Sequence, residues 1–366
     1  MHWWQASQRR HGGEPQRPTG EAGSGDACHA PGSGPRMRTG LPPSSHGPKV
    51  TAIGGGHGLA ATLSALQRVT DSITAVVGVS DDGGSSGRLR HELGVLPPGD
   101  LRMALAALCG GDTWGRTWSR VVQHRFGGDG ELRGHSLGNL LITSLWEETG
   151  DVVVGLDWVA ALLGARGRVL PVSTVPLEIV ASVRFPDDSE TGRLEEVRGQ
   201  VAVATTSGQV EDVGVIPRNP PACPEAVDAI RTSQTIILGP GSWFTSVMAP
   251  LLVPELRAAI IGSDAQVVVV LNLVPQSGET SGYTAARYVE VLTSTWPDLP
   301  IDTVLVDPRS IADESAFHAA CRAIGATALI RRVSTDRGMV RGIHDPDLLA
   351  AAFAEITGRG RIGAWH

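Results

Sequence analysis

Short runs of almost unbroken apolar residues recur along this chain, and between many of them the apolar positions return every three or four residues. The first pattern is that of strands buried on both faces, the second that of helices with one apolar stripe. Lys49–Ile53 predicts a first strand, ending in Gly54-Gly55-Gly56-His57-Gly58. Leu59, Leu63, Leu66 and Val69 then mark a helix, and Ile73–Val79 a second strand, followed by the polar loop Ser80–Arg88. Strand, glycine-rich turn, helix and strand form a βαβ unit with a right-handed crossover. Helices are predicted over 101–109, 114–125, 136–148 and 155–164.

The stretch 167–217 changes character. Arg168–Val172, Leu177–Arg184, Gln200–Thr205 and Val213–Pro217 read as short strands, a β-rich antiparallel insertion. The alternation then resumes. Strands are predicted over 235–238, 266–273 and 301–306, and helices over 242–252, 283–295, 313–324 and 345–357. Strands alternating with helices predict an α/β fold with a mostly parallel sheet covered on both faces. No repeat of solenoid period is present. Residues 1–48, rich in Gly, Pro, Ser and Arg, read as a disordered extension ahead of one α/β domain spanning 49–360. Met37, just ahead of the first strand, is an alternative start to Met1.

Composition narrows the function. The chain has 366 residues, 41% hydrophobic and 19% charged, with a formal net charge of -7. A broad nucleic-acid-binding face wants the opposite sign, so no nucleic-acid partner is expected. Lys49 is the only lysine, so no Walker-type P-loop exists. Four scattered cysteines (Cys28, Cys109, Cys223, Cys321) without C-x-x-C fit neither a disulfide framework nor a zinc site and agree with a reduced cytoplasmic setting. No apolar run approaches the ~20 residues of a membrane span, and no secretory signal is expected, because residues 1–48 carry no apolar h-region.

Ligands of open α/β sheets sit beyond the carboxyl ends of the strands, and several polar loops fall there. Gly54–Gly58 opens a helix, where glycines permit close backbone approach and free amides favour an anion. A plain tight turn is the simpler reading; four glycines in five residues favour a phosphate loop. The dinucleotide fingerprint is not met, because its third glycine is absent. Asp81-Asp82-Gly83-Gly84-Ser85-Ser86-Gly87-Arg88 reads either as a solvated turn or as a ligand loop. In the second case an acid meets a ribose hydroxyl, or the paired acids hold Mg²⁺ while hydroxyls, amides and Arg88 receive phosphate. In Pro97-Pro98-Gly99-Asp100-Leu101-Arg102, Asp100 reads either as a plain helix cap or as part of a ligand loop, with the direction of Arg102, one turn inside, left open.

Gly134-His135-Ser136-Leu137-Gly138 is a perfect G-x-S-x-G, yet the residues before it form a polar glycine-rich loop, not the strand a nucleophile elbow needs. It reads instead as a helix start, with Ser136 as cap and His135 and Asn139 beside it. Gly239-Pro240-Gly241-Ser242 and Thr245 follow a strand and open another helix with Ser242 as the expected cap; the stretch reads either as a plain turn or as a further anion-type site. Asn272 ends a strand, Thr280 and Thr284 flank the next helix start, and Arg341-Gly342-Ile343-His344-Asp345 precedes the last helix.

Taken in order, GGGHGL, VSDDGGSSGRLR, LPPGDLR, GHSLGNLL, LGPGSWFTSV and LNLVPQSGETSGYTA make the chain resemble the gluconeogenesis factor family, over roughly residues 49–350. These are bacterial UDP-sugar-binding cell-shape factors related to the 2-phospho-L-lactate transferases. The resemblance implies a Rossmann-like three-layer α/β/α fold. It also implies UDP-N-acetylglucosamine or UDP-glucose as ligand, partners in cell-wall synthesis, and a homodimer. Carried over by motif, Gly54 to Gly58 and Asp81, Asp82, Gly83, Gly84, Ser85 and Ser86 line the nucleotide cleft. Arg88, His135, Ser136, Asn139, Gly239, Gly241, Ser242, Thr245, Asn272, Thr280 and Arg341 complete it. Asp81 and Asp82 match the metal-binding acids of the related transferases. The sequence departs from the family at His57, where Thr is usual, at Trp243, where Leu is common, and by two extra residues between Arg341 and Asp345.

Four readings follow. A non-catalytic UDP-sugar regulator leads, with a Mg²⁺-dependent transferase as the alternative. An NAD(P) oxidoreductase is weakened by the missing glycine, and a serine hydrolase by the missing strand.

Overall fold

The apolar runs pair into a sheet whose order decides where ligands can go. The computed structural model describes residues 47–185, 192–276 and 278–359. The extension 1–46, with Met1, Met37 and Cys28, lies outside them. Strand β1 (Val50–Gly54) is followed by helix α1 (Gly56–Leu66) and β2 (Ile73–Val77). Next come α2 (Gly84–Leu93), α3 (Gly99–Ala107), α4 (Thr113–Gln123), α5 (Leu137–Thr149) and α6 (Val152–Leu163). The chain continues through β3 (Arg168–Pro171), β4 (Glu178–Phe185), β5 (Arg193–Arg198), α7 (Gln200–Ala204), β6 (Gln209–Ile216) and α8 (Pro224–Arg231). It ends with β7 (Thr235–Leu238), α9 (Pro254–Ile261), β8 (Gln266–Val270), α10 (Ala285–Thr295), β9 (Thr303–Val306), α11 (Glu314–Ala323), β10 (Thr327–Ile330), α12 (Asp336–Arg341) and α13 (Pro346–Arg359).

Among the described residues, seven strands form one sheet in the order β10-β9-β8-β7-β1-β2-β3, every pair parallel. This is a Rossmann-like α/β fold. The chain leaves β1 toward β2 and β3, then returns to β7 on the other side of β1. The order therefore reverses at β1, where a crevice opens. Register levels the strand ends there: Gly54 lies opposite Val77, and Ile53 opposite Leu238. β7, β8 and β9 are buried almost throughout, as their unbroken apolarity requires. Flanking helices turn their stripes inward; Leu59, Leu63 and Leu66 of α1 are fully buried. Helix starts are fixed chemically: the side chains of Asp112, Ser136, Asp151, Thr284 and Asp313 accept first-turn amides.

Several expectations need correction. Arg168–Pro171 belongs to the main sheet, so the antiparallel unit, ordered β5-β4-β6, begins only at Glu178. Residues 200–204, expected as a strand, form α7; Val201 and Val203 alternate, but five residues are too few to separate the two periods, and Asp82 accepts the Val201 amide in its first turn. β5 carries almost only exposed residues, so its sequence has no apolar alternation to read. The expected loop 80–88 is a helix from Gly84 onward, whose buried face holds only Ser85, Ser86 and Leu89. The expected helix 242–252 is a π-helical turn over Trp243–Met248 followed by a 3-10 turn over Ala249–Leu252. β8 stops at Val270, which puts Asn272 beyond the sheet. The helices α8, α9 and α12 and the strand β10 carried no pattern strong enough to predict.

Among the described residues no single helix is long and apolar enough to cross a membrane.

The α1 start and the Gly239-Pro240 turn, joined by a cis peptide bond, nearly touch. A methyl group at Gly58 would lie 2.1 Å from the Pro240 carbonyl oxygen. Gly58→Ala is expected to lower stability by about 1–3 kcal/mol in urea unfolding, through backbone overpacking. Gly111→Ala, where the added group meets nothing within 4 Å, is the matched control and leaves the midpoint in place.

Candidate functional site

The loops after β1, β2, β7 and β8, together with the α12 end, enclose a cleft of about 660 Å³ at the switch point. That is within the ordinary range for small-molecule sites. Gly55, Gly56, His57 and Gly58 form one wall. The α1 N-terminus has no side-chain cap and no acid in its first turn. Its first amides therefore lack intrahelical partners, and only the Gly56 amide is directed at a carboxylate, that of Asp100. Gly54 stays inside the sheet edge, accepting the Gly78 amide, and does not line the cleft.

The opposite wall is built by clamping. Asn272 Oδ1 accepts the Gly241 amide at 3.1 Å, and Asn272 Nδ2 donates to the Gly241 carbonyl at 2.8 Å. Gln276 Nε2 donates to Ser242 Oγ at 3.2 Å. Thr280 is fully buried, accepting from the Gln276 amide and the Tyr288 hydroxyl. It braces this wall without facing the cleft. Gly239 is likewise behind it, its carbonyl accepting from Thr62. The helix start at 243 is not free for a ligand anion, because Glu279, rather than the Ser242 side chain, already occupies it. Glu279 takes the Phe244 amide at 3.2 Å and Thr245 Oγ1 at 2.8 Å, and burial pushes its carboxyl up. Thr245 therefore serves Glu279 and does not line the cleft, whereas Ser246 does.

Three side chains on the remaining wall look unfinished. Gln276 Oε1 is buried without a partner. The His344 ring is 5% exposed and hydrogen-bonds the Leu271 backbone, while its Nε2 has no partner. Burial pushes His344 down to about 4, so it is neutral at physiological pH. Arg341 stands at the mouth, exposed.

A second cavity of about 220 Å³ adjoins the first. Gly83, Gly84, Ser85 and Ser86 form its floor, Arg102 and Arg125 one side, and Asp81, Asp100 and Met103 the boundary shared with the cleft. Asp81 Oδ1 accepts the Gly83 amide at 3.0 Å. Asp82 lines neither space; it is exposed and holds α7. The acids that face a common space are thus Asp81 and Asp100. Asp100 lies inside α3, whose N-cap is Pro98, so it is no cap. Burial, then the Asp81 charge, pushes Asp100 up to about 7, against the Gly56 amide and Arg102.

The G-x-S-x-G stretch supports this second cavity from behind. Ser85 Oγ meets His135 Nδ1 at 3.1 Å and accepts from the Ser136 amide and from Asn139 Nδ2. Ser136 is fully buried and caps α5, which leaves no nucleophile. A methyl group at Gly138 would lie 2.8 Å from the Arg102 stem, so this glycine makes room for Arg102. Arg88 donates to the Glu131 and Arg133 carbonyls, pinning the loop before α5. His135, Ser136, Asn139 and Arg88 line neither space.

Sequence reasoning left Asp100 and Arg102 undecided and passed over Arg125, Gln276, Glu279 and His344 as site residues. One signal was available: Arg102 is a lone cation in the apolar helix Leu101–Cys109.

Below about pH 4 the Asp100 carboxyl is protonated in folded and unfolded chains alike. Between about 4 and 7 only the folded chain keeps the proton, so raising the pH favours unfolding across that window and adds nothing above it. Asp100→Asn keeps the acceptor for Gly56 and removes the titration. It is expected to match the parent near pH 4 and exceed it by roughly 4 kcal/mol above pH 7 in urea unfolding. A gap that does not widen with pH would show that Asp100 titrates alike in the folded and unfolded chains.

Comparison with known proteins agrees with this architecture. The profile of the 2-phospho-L-lactate transferase CofD family matches residues 50–329. A Mycobacterium tuberculosis H37Rv protein named "Putative gluconeogenesis factor" is 47% identical over 318 residues, covering 86% of this chain and 92% of its own. The "Gluconeogenesis factor" of Bacillus subtilis 168 is 39% identical over 267 residues, covering 73% and 81%. The crystal structure of an upf0052 family protein from Bacillus halodurans superposes with a TM-score of 0.74 at 33% identity, covering 84% of this chain and 98% of that one. Sequence, fold and switch-point cleft together place this chain in the gluconeogenesis factor family, within the wider 2-phospho-L-lactate transferase CofD family.

Proposed function

We propose that this chain is a cytoplasmic UDP-sugar-binding regulator, required for cell shape and cell-wall morphogenesis during gluconeogenic growth. One observation carries the binding half: an open switch-point cleft where the uncapped α1 start faces Arg341 across a space of about 660 Å³. The amides of His57 and Gly58 and the Arg341 guanidinium receive the diphosphate. His344 Nε2 accepts from a ligand N–H or O–H, and Gln276 Oε1 does the same. The relatives' name, gluconeogenesis factor, supports the link to gluconeogenic growth. The cell-shape role, a homodimer and a partner among cell-wall synthesis proteins are parts of the same proposal. UDP-N-acetylglucosamine and UDP-glucose are the two candidate ligands.

A transferase reading is favoured by a separate feature: Asp81 and Asp100 stand on the wall common to both cavities. Magnesium uses one or two carboxylates and keeps the rest of its shell for water and phosphate. Asp81, with one oxygen still free, and Asp100 fit that need; Asp82, which lines neither cavity, does not. When bound there, Mg²⁺ would neutralise charge on a departing diphosphate. Asp81 and Asp100 would hold it, and Arg341 would orient the donor.

Calorimetry with UDP-N-acetylglucosamine, UDP-glucose and NAD(P), each with and without Mg²⁺, tests both readings. Micromolar binding of a UDP-sugar is expected, about −8 kcal/mol. Arg341→Ala is expected to weaken it at least about tenfold. No heat from either UDP-sugar would overturn the assignment. Turnover that needs Mg²⁺ and disappears in Asp81→Ala would select the transferase.

A further inference from the structure

The smaller cavity holds chemistry that the nucleotide cleft leaves unused. Arg102 enters it from the first turn of α3, only 4% exposed, and its Nε has no partner. Among the described residues no hydrogen bond or salt bridge engages its guanidinium. Burial and the neighbouring Arg125 both work against its charge, while Asp100 and Asp81 favour it from across the cavity. A buried guanidinium without hydrogen-bonded partners is costly unless something supplies acceptors. The N-terminus of α2, ten residues long, opens into the same space with Gly84, Ser85 and Ser86. Its N-cap is Gly83, which offers no side-chain acceptor, and no acid sits in its first turn. Unsatisfied helix amides, the Ser86 hydroxyl and two guanidiniums therefore converge on one side, with two carboxyls on the other.

We propose that this cavity binds a small phosphate monoester of a hydroxylated carbon skeleton, as a second ligand separate from the nucleotide. The phosphate lies against Arg102, Arg125 and the α2 amides. The hydroxyls donate to Asp81 and Asp100, a polarity that puts an anion at one end and donors at the other. A volume of about 220 Å³ limits the ligand to a few carbons. His135, Ser136 and Asn139 are positioning residues that hold Ser85 and Ser86 for it, and Gly138 leaves the passage for Arg102. The site does not require the UDP-sugar reading to be correct.

Inorganic phosphate and glycerol 3-phosphate are titrated into the full chain at constant ionic strength, against chloride, with thermal unfolding and calorimetry as readouts. Saturable stabilisation is expected, tighter for glycerol 3-phosphate than for phosphate. Arg102→Met should weaken both at least tenfold while remaining folded without ligand, since it removes an unpartnered buried charge. Ser86→Ala, a milder change, should weaken both a few-fold. Arg341→Ala, and parent saturated with UDP-N-acetylglucosamine, should respond to glycerol 3-phosphate as the free parent does. Equal stabilisation by chloride, or an undiminished response in both Arg102→Met and Ser86→Ala, overturns the proposal. So does displacement of the phosphate monoester by the UDP-sugar, because the cavity would then belong to the nucleotide.

Discussion

The reversal of strand order at β1 is the constraint on which the site depends. Parallel register brings the ends of β1, β2 and β7 to one level, and the reversal leaves room between the connections that follow them. The loops after β1, β2, β7 and β8 then emerge at the same rim, and Asp100, Arg341 and His344 reach it from helix-to-helix connections. The approach of Gly58 to the Pro240 carbonyl shows how closely these connections pack. Glycine at 58 is required there because two backbones meet, not because the dihedral angle is unusual.

Polar groups at this rim divide into those already satisfied and those left open. Glu279 fills the helix start after β7, accepting from the Phe244 amide and the Thr245 hydroxyl. Asn272 pairs with both backbone groups of Gly241. These contacts make one wall rigid. Along the two cavities the α1 start, His344 Nε2, Gln276 Oε1 and Arg102 Nε stay open, while Asn139 Oδ1, Thr143 Oγ1 and Trp243 Nε1 lack partners away from them. Buried polar atoms in folded proteins seldom lack partners, so the open set outlines where ligands supply them.

Asp81 and Asp100 join the two spaces. They come from different connections, the loop after β2 and the first turn of α3, and Gly99 permits the meeting. A methyl group there would lie 2.7 Å from Asp81 Oδ2 and 2.3 Å from Ser86 Oγ. Burial, and then repulsion from the charge of Asp81, push the Asp100 carboxyl up to about 7. A divalent cation or a hydroxyl donor would relieve that repulsion, which is why both a transferase and a two-ligand regulator can be built on the same wall.

Local pattern by itself determined the α/β alternation, the apolar strands from Val50 to Val306, the capping role of Ser136, and the glycine loops at strand ends. Each of these depends on residues close in sequence, where period and capping chemistry are directly legible. It did not reveal β5, whose exposed edge residues carry no alternation, or α7, too short to show a period. Tertiary structure alone decided which acids face each other. Asp81 and Asp82 are neighbours in sequence but point to different tasks, while Asp100, nineteen positions from Asp81, shares its cavity. It likewise decided that GHSLGN serves as a support for Arg102 and Ser85, and that Glu279 closes one anion site. Those outcomes turn on contacts between distant segments, set by strand order and close backbone packing, and no spacing along the chain encodes them.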